Sequence, residues 1–164
     1  MNIISPSTPG GYSIFCDDIR HENNGKQILI GLYNADMLID AFPILLPTFQ
    51  VLIRYQERPG ESSLPVKFVI TSPHPTDEKI FEAEVPRENF EKVLIPSDNN
   101  LDDPFVSLNL HASFAGFVLA GPGRIKVRAY RGDDEIRLGA LRVRLRSEWE
   151  ASQKETAEGK EAAN

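Results

Sequence analysis

The chain has 164 residues, 41% of them apolar and 26% charged, with a net charge of −6; that is enough chain for one domain with a proper core, at an ordinary globular composition. A sequence pI of about 5.1 argues against a surface built for nucleic acid, and the single cysteine, Cys16, excludes an internal disulfide. No apolar run approaches the roughly 18 residues of a membrane-spanning helix, and the opening MNIISPSTPGG lacks the basic and apolar regions of a signal peptide, so a soluble, cytoplasmic protein with no membrane contact is expected.

In chain order, residues 1–11 carry proline and glycine without a hydrophobic period, which predicts a mobile lead-in. Residues 12–20 (YSIFCDDIR) and 26–33 (KQILIGLY) are β-prone. They flank His21-Glu22-Asn23-Asn24-Gly25, whose Asn-Gly pair predicts a hairpin turn. Ile28, Ile30 and Leu32 alternate with Leu29 and Tyr33, so this strand is expected to be covered on both faces. Ala41–Pro47 is apolar and proline-bound, and predicts a connection packed over the end of the fold. In residues 47–56, Phe49, Val51, Ile53 and Tyr55 share one face, and Thr48, Gln50, Arg54 and Gln56 the other.

Further on, Val66, Phe68 and Ile70 fall on one face, as do Phe81, Ala83 and Val85, with Glu82 and Glu84 outward. Pro86–Phe90 predicts a short helical turn. The longest alternation sets Val106, Leu108, Leu110, Ala112 and Phe114 against Ser107, Asn109, His111 and Ser113. After the Gly121-Pro122-Gly123 turn, Ile125, Val127 and Ala129 alternate with Arg124, Lys126, Arg128 and Tyr130. A Gly132-Asp133-Asp134 turn leads to the last strand. There Ile136, Leu138 and Ala140 give way to Leu141, Val143 and Leu145, a slip that predicts a β-bulge near Gly139.

About seven to nine short strands with no strong helix predict an all-β chain. The expected architecture is one antiparallel, immunoglobulin-like β-sandwich over residues 12–146. It lies between the lead-in of residues 1–11 and a charged tail, residues 147–164, expected to be disordered or a frayed helix.

One string is distinctive: Phe15-Cys16-Asp17-Asp18-Ile19-Arg20, then Gly25-Lys26, Leu29-Ile30-Gly31-Leu32-Tyr33, Phe42-Pro43 and Leu46-Pro47. It resembles an uncharacterised family of bacterial proteins in which similar strings open a small all-β domain. The resemblance covers roughly residues 12–56. It implies the sandwich and a bacterial origin, and brings no catalytic assignment.

Several constellations are candidates for chemistry. Asp17 and Asp18, with Glu22, Asp36 and Asp40 as possible company, are adjacent on a strand and so point to opposite faces; one is expected in water and the other paired with Arg20 or capping a turn. The loop Ser97–Asp103 has the oxygen-rich composition of a calcium loop, with Asp98, Asp102 and Asp103 as candidate ligands, but it lacks the spacing and glycine of an EF-hand. His21, His74 and His111 lack metal-site spacing. Cys16 with His21 or His111 would make a nucleophile–base pair, yet a cysteine between Phe15 and Asp17 reads as core. No nucleophile elbow or phosphate loop is present, so neither an enzyme nor a cofactor is expected.

The strongest signal is charge. Between Arg124 and Arg146 stand eight of the eighteen basic residues against Asp133, Asp134 and Glu135, a net of +5 that leaves −11 for the rest of the chain. Arg124, Lys126, Arg128, Arg142, Arg144 and Arg146 are expected to form a basic hairpin face. The plainer alternative pairs these arginines across strands with acids such as Glu82 and Glu84. The face suits an acidic protein partner better than nucleic acid, because only Tyr130 offers an exposed aromatic. The function that follows is a non-catalytic cytoplasmic binding or scaffold module. The alternatives are a small-ligand- or calcium-binding sandwich acting through its loop ends, and an enzyme assembled from distant residues.

Overall fold

The apolar segment of residues 12–20 does not run as one strand: it breaks at Asp17. A computed structural model of the chain describes residues 9–73, 77–92 and 106–161. Before the break lies β1 (Gly10–Cys16) and after it β2 (Asp18–His21), which turns into β3 (Gln27–Ile30). In that turn Gly25 N–H donates to Glu22 O at 3.0 Å and Glu22 N–H donates to Lys26 O at 2.9 Å, the hairpin foreseen from Asn24-Gly25. The chain continues through β4 (Asp36–Ile39), β5 (Ile44–Glu57), β6 (Val66–Thr71), β7 (Lys79–Val85), α1 (Arg87–Lys92), β8 (Val106–Leu119), β9 (Gly123–Arg131), β10 (Asp134–Leu145) and α2 (Arg146–Glu161).

The protein is all-β. Ten strands stand among the described residues, more than the sequence suggests, because β2, β3 and β4 are only four residues each. One sheet has the order β1-β5-β8 and the other β4-β10-β9-β6-β7; β2 and β3 form a ribbon of their own. The pairing is antiparallel except at β4, which runs parallel to β10 with Asp36 opposite Arg142 and Leu38 opposite Arg144. The purely antiparallel expectation fails there: the chain crosses from the first sheet to the second between Tyr33 and Asp36 and arrives pointing along β10. Ser13 Oγ ties the two sheets directly, donating to Leu138 O at 3.0 Å.

The core is what the alternation dictates. Phe49, Val51, Ile53 and Tyr55 of β5 are fully buried, as are Phe68 and Ile70 of β6 and Ile125, Val127 and Ala129 of β9. Each large apolar side chain so buried contributes about 1.5–3 kcal/mol. The predicted slip in β10 is present: register shifts between Arg137 and Gly139. It comes one residue earlier than the alternation suggests, so Ala140 is exposed and Leu141 and Val143 are buried.

Two expectations fail for reasons of connection. Ala41–Pro47 is not a loop over the sandwich end, since Ile44 already begins β5 and pairs with Leu119 of β8. Within this pair both strands exchange faces together. Leu46 and Phe49 both point inward, and so do their partners Phe117 and Phe114. The exchange falls at Pro47 and at Gly116, whose φ of +65° is one that residues with a Cβ rarely adopt. It gathers Phe49, Phe114 and Phe117 with centroids 5.5–6.0 Å apart and leaves Leu45 and Val118 exposed as cross-strand neighbours. Likewise β3 is not covered on both faces. It is the outer strand of a ribbon, and Ile28, Ile30 and Leu32 are 44%, 38% and 54% exposed.

The charged tail expected to be disordered or frayed is described as helix α2 from Arg146 to Glu161, with Glu148 in the first turn complementing the helix dipole. Residues 1–8 of the lead-in lie outside the described residues.

The break at Asp17 depends on a tight fit. Gly31 has φ +66°, and a Cβ placed there would lie 2.0 Å from Asp17 Oδ2. Gly31→Ala is expected to destabilise the protein by about 1–3 kcal/mol, read as a lower urea midpoint at unchanged slope; an unchanged midpoint would show that the junction tolerates the methyl group.

Candidate functional site

The predicted basic face is the outer face of the five-stranded sheet. Inward Ile125, Val127 and Ala129 force Arg124, Lys126, Arg128 and Tyr130 outward on β9. On β10 the same parity, reset by the bulge, sends Arg142 and Arg144 outward. The ladder sets Arg124 opposite Arg142 and Arg128 opposite Arg137. Arg146 is not on the sheet: it opens α2.

Most of these cations have acids, but not the expected ones. Glu82 and Glu84 on β7 are separated from β9 by β6, and their ladder partners are Val69 and Lys67. Glu82 instead accepts a hydrogen bond from Lys79 Nζ at 2.7 Å, which lowers its pKa. The acids that serve the arginines come from β4 and its exit. Asp36 accepts from Arg142 Nε at 2.6 Å and Nη2 at 3.4 Å, and lies 3.9 Å from Arg144. Asp40 accepts from Arg146 Nε at 2.8 Å, which raises the pKa of that guanidinium. Lys126 pairs with Asp77 at 2.7 Å and Arg128 with Glu135 at 3.2 Å. Arg124 has no carboxylate partner among the described residues. It stands with Arg142 around a shallow depression of about 220 Å³ floored by Ala35 and Ala140. Exposed pairs of this kind are each worth about 0–1 kcal/mol, so they set the charge pattern of the face more than its stability.

Asp17 and Asp18 do separate, as their parity requires, but both are engaged. Asp17 Oδ1 accepts the Tyr33 hydroxyl at 2.5 Å; burial and this bond push the Tyr33 pKa up. Asp18 pairs with Arg20 at 3.2 Å and accepts from Gln50 Nε2 at 3.0 Å. The β2–β3 ribbon thus folds back over the outer face of the first sheet. That cover explains why Cys16 and its ladder partner Gln50, both outward on their strands, are 0% and 7% exposed. Burial raises the Cys16 pKa, with Asp17 and Asp18 adding to it, so the thiol is held away from its nucleophilic form.

Gln50 Oε1 accepts from Ile19 N–H at 3.1 Å, and with Asp18 taking Nε2 the amide orientation is fixed. His111 Nε2, 2.6 Å from that oxygen, therefore carries a proton. The His21 ring lies 5.9 Å from the His111 ring. Sequence periodicity placed His111 outward but had no means of finding Gln50 as its partner, because the ribbon that brings them together is a tertiary contact.

At the other end of the sandwich Glu57 is fully buried. Its carboxylate accepts from Arg87 and from Tyr55 Oη at 2.8 Å, with Arg131 at 3.6 Å. Beside this network a cavity of about 510 Å³ opens between Pro59–Ser63 and α1. The sequence offered no signal for it, since Glu57, Arg87 and Arg131 are distant in the chain. Asp98, Asp102 and Asp103 lie outside the described residues, as does His74. Among the described residues no group of three or more His, Cys, Asp or Glu is placed to hold a metal ion, and no helix is long and apolar enough to cross a membrane.

Fold and face together define a β-sandwich protein with one strongly charged sheet face. The chain belongs to a family of unknown function (DUF6941), whose model matches residues 11–144 and so reaches into every described strand. No curated protein and no solved structure matches it.

Two outcomes are expected. Burial and the nearby His21 hold the His111 pKa below 6.5, against the pull of Asp18. The folded state therefore binds this proton less readily than the unfolded one, so the stability it contributes is complete above pH 6.5 and is lost as pH falls through the lower, folded value. The urea midpoint of His111→Gln is expected to fall less than that of the wild type between neutral and mildly acid pH; parallel curves would dismiss the linkage. Glu57→Ala strands Arg87 and Arg131 without their shared carboxylate and is expected to cost about 3 kcal/mol in chemical denaturation; a loss below about 1 kcal/mol would mean the arginines reach water instead.

Proposed function

We propose that this protein is a non-catalytic binding module of the bacterial cytoplasm that docks an acidic protein partner on the β9–β10 face. The observation that carries this is Arg124. It projects from a sheet face, has no carboxylate among the described residues, and sits opposite a second arginine, an arrangement that weakens a sheet unless something else is gained. Around it the face remains net positive: Lys67, Arg124, Lys126, Arg128, Arg137, Arg142 and Arg144 against Asp36, Asp77, Glu82, Glu84 and Glu135. The rest of an acidic molecule repels an acidic partner, so the same charge distribution steers such a partner to this one face.

Arg124→Glu tests this without disturbing the fold, because the new carboxylate faces Arg142 and the change is expected to move stability by no more than about 0.5 kcal/mol. In nuclease-treated bacterial lysate, proteins retained by the immobilised wild type in low salt are expected to be lost both from the Arg124→Glu variant and from the wild type at raised salt. Identical retention by variant and wild type would remove the face from consideration.

A further inference from the structure

The cavity beside Glu57 is independent of the basic face. Its volume of about 510 Å³ falls within the roughly 300–1,000 Å³ of small-molecule sites. Pro59 is its exposed apolar wall, Val106 and Phe90 lie buried behind the surface, and Ser62, Ser63 and Arg87 are polar groups among its described lining. Phe90 is almost fully buried behind its wall, at 1% exposure.

Arg87 decides the chemistry. Its guanidinium is held from two sides: Nη1 donates to the buried Glu57 carboxylate, and Cζ lies 5.3 Å over the Phe90 ring. That fixes the plane of a group with five N–H donors. Nε and Nη2 have no acceptor among the described residues. Glu57 itself is shared with Arg131 and Tyr55, so Arg87 does not have a carboxylate to itself. Donors without acceptors beside an apolar wall suit a ligand that brings an anionic head and an apolar body. The bidentate geometry of carboxylates matches a guanidinium whose plane is already set.

We infer that this cavity is a binding site for a small organic carboxylate with an apolar or aromatic body, its head on Arg87 and its body along the exposed Pro59 and the loop that follows it. The site is built from the loop after β5, α1 and the first residue of β8, which the sequence separates by almost fifty positions.

The test uses the full chain and two probes. The fluorescent anion 1-anilinonaphthalene-8-sulfonate is titrated first, then displaced with 4-phenylbutyrate or with its uncharged counterpart 4-phenylbutanol. Saturable binding at one site per chain is expected, with the carboxylate displacing the dye at about tenfold lower concentration than the alcohol, the effect of one charge-assisted hydrogen bond. Ser63 has an exposed position and no described hydrogen bond, so Ser63→Trp fills the cavity without touching Glu57. It is expected to keep the melting temperature and lose the dye; Ser62→Tyr serves as a second filled variant if the first does not fold. Absence of saturable binding, or dye bound as well by the filled variants as by the wild type, overturns the site. Equal displacement by the alcohol overturns the role of Arg87.

Discussion

The hydrogen bond from the Tyr33 hydroxyl to Asp17 is the constraint from which much of the architecture follows. The chain must leave the first sheet after β1, form the β2–β3 ribbon, and return close enough to cross to the second sheet. Backbone bonds beside the Tyr33–Asp17 contact hold both legs of that excursion: Asp17 N–H donates to Ile30 O at 3.0 Å, and Tyr33 N–H donates back to Phe15 O at 2.9 Å. With the return leg held against β1, the next residues are delivered to the side of β10, and β4 forms there. β4 then supplies Asp36, with Asp40 just beyond it, and these two acids decide how much of the arginine charge on β10 and α2 is left unmatched. One half-buried contact thus reaches, through topology, to the electrostatics of a face on the other sheet.

Stability and surface pattern come from different terms. The core residues of β5, β6 and β9 are sealed from water, and truncating one of them, such as Phe49, is worth about 3–5 kcal/mol. No ion pair on the outer face approaches that, since each of the closest keeps at least one partner exposed: Arg142 at 48% beside Asp36, Glu135 at 47% beside Arg128 and Asp77 at 57% beside Lys126. The charge arrangement is therefore free to vary without threatening the fold, which is why a surface so uneven in charge can be carried by an ordinary sandwich. Glu57 is the exception: its full burial makes Arg87 and Arg131 structural partners.

What the sequence made legible was periodicity. Strands with one face in the core, such as β5, β6 and β9, announce themselves because inward positions tolerate only apolar side chains. The bulge in β10 was legible for the same reason, since a slip in phase at a glycine has few other causes. Periodicity says nothing about which strand lies beside which. The parallel pairing of β4, the ribbon over Cys16 and Gln50, and the separation of Glu82 and Glu84 from the arginines are all neighbour relations, and all were missed. The β3 segment misled because Ile28, Ile30 and Leu32 have the pattern of a covered strand while the ribbon leaves them in water. The basic face was legible as a count of charges. Its partners were not, because Asp36 and Arg142 are 106 residues apart.

Two departures from regular pairing in the sandwich differ in kind. In the β9–β10 pair one strand carries a residue that its neighbour does not match, so the ladder absorbs an insertion locally. In the β5–β8 pair the exchange of faces at Pro47 and Gly116 leaves the two strands equal in length, in step on both sides of the exchange. A single-residue deletion near either position would carry every aromatic beyond it to the wrong side of the sheet, while a matched deletion in both strands would not. These two positions, some seventy residues apart in sequence, therefore act as one mechanical unit: neither strand can give up its exchange of faces while the other keeps it.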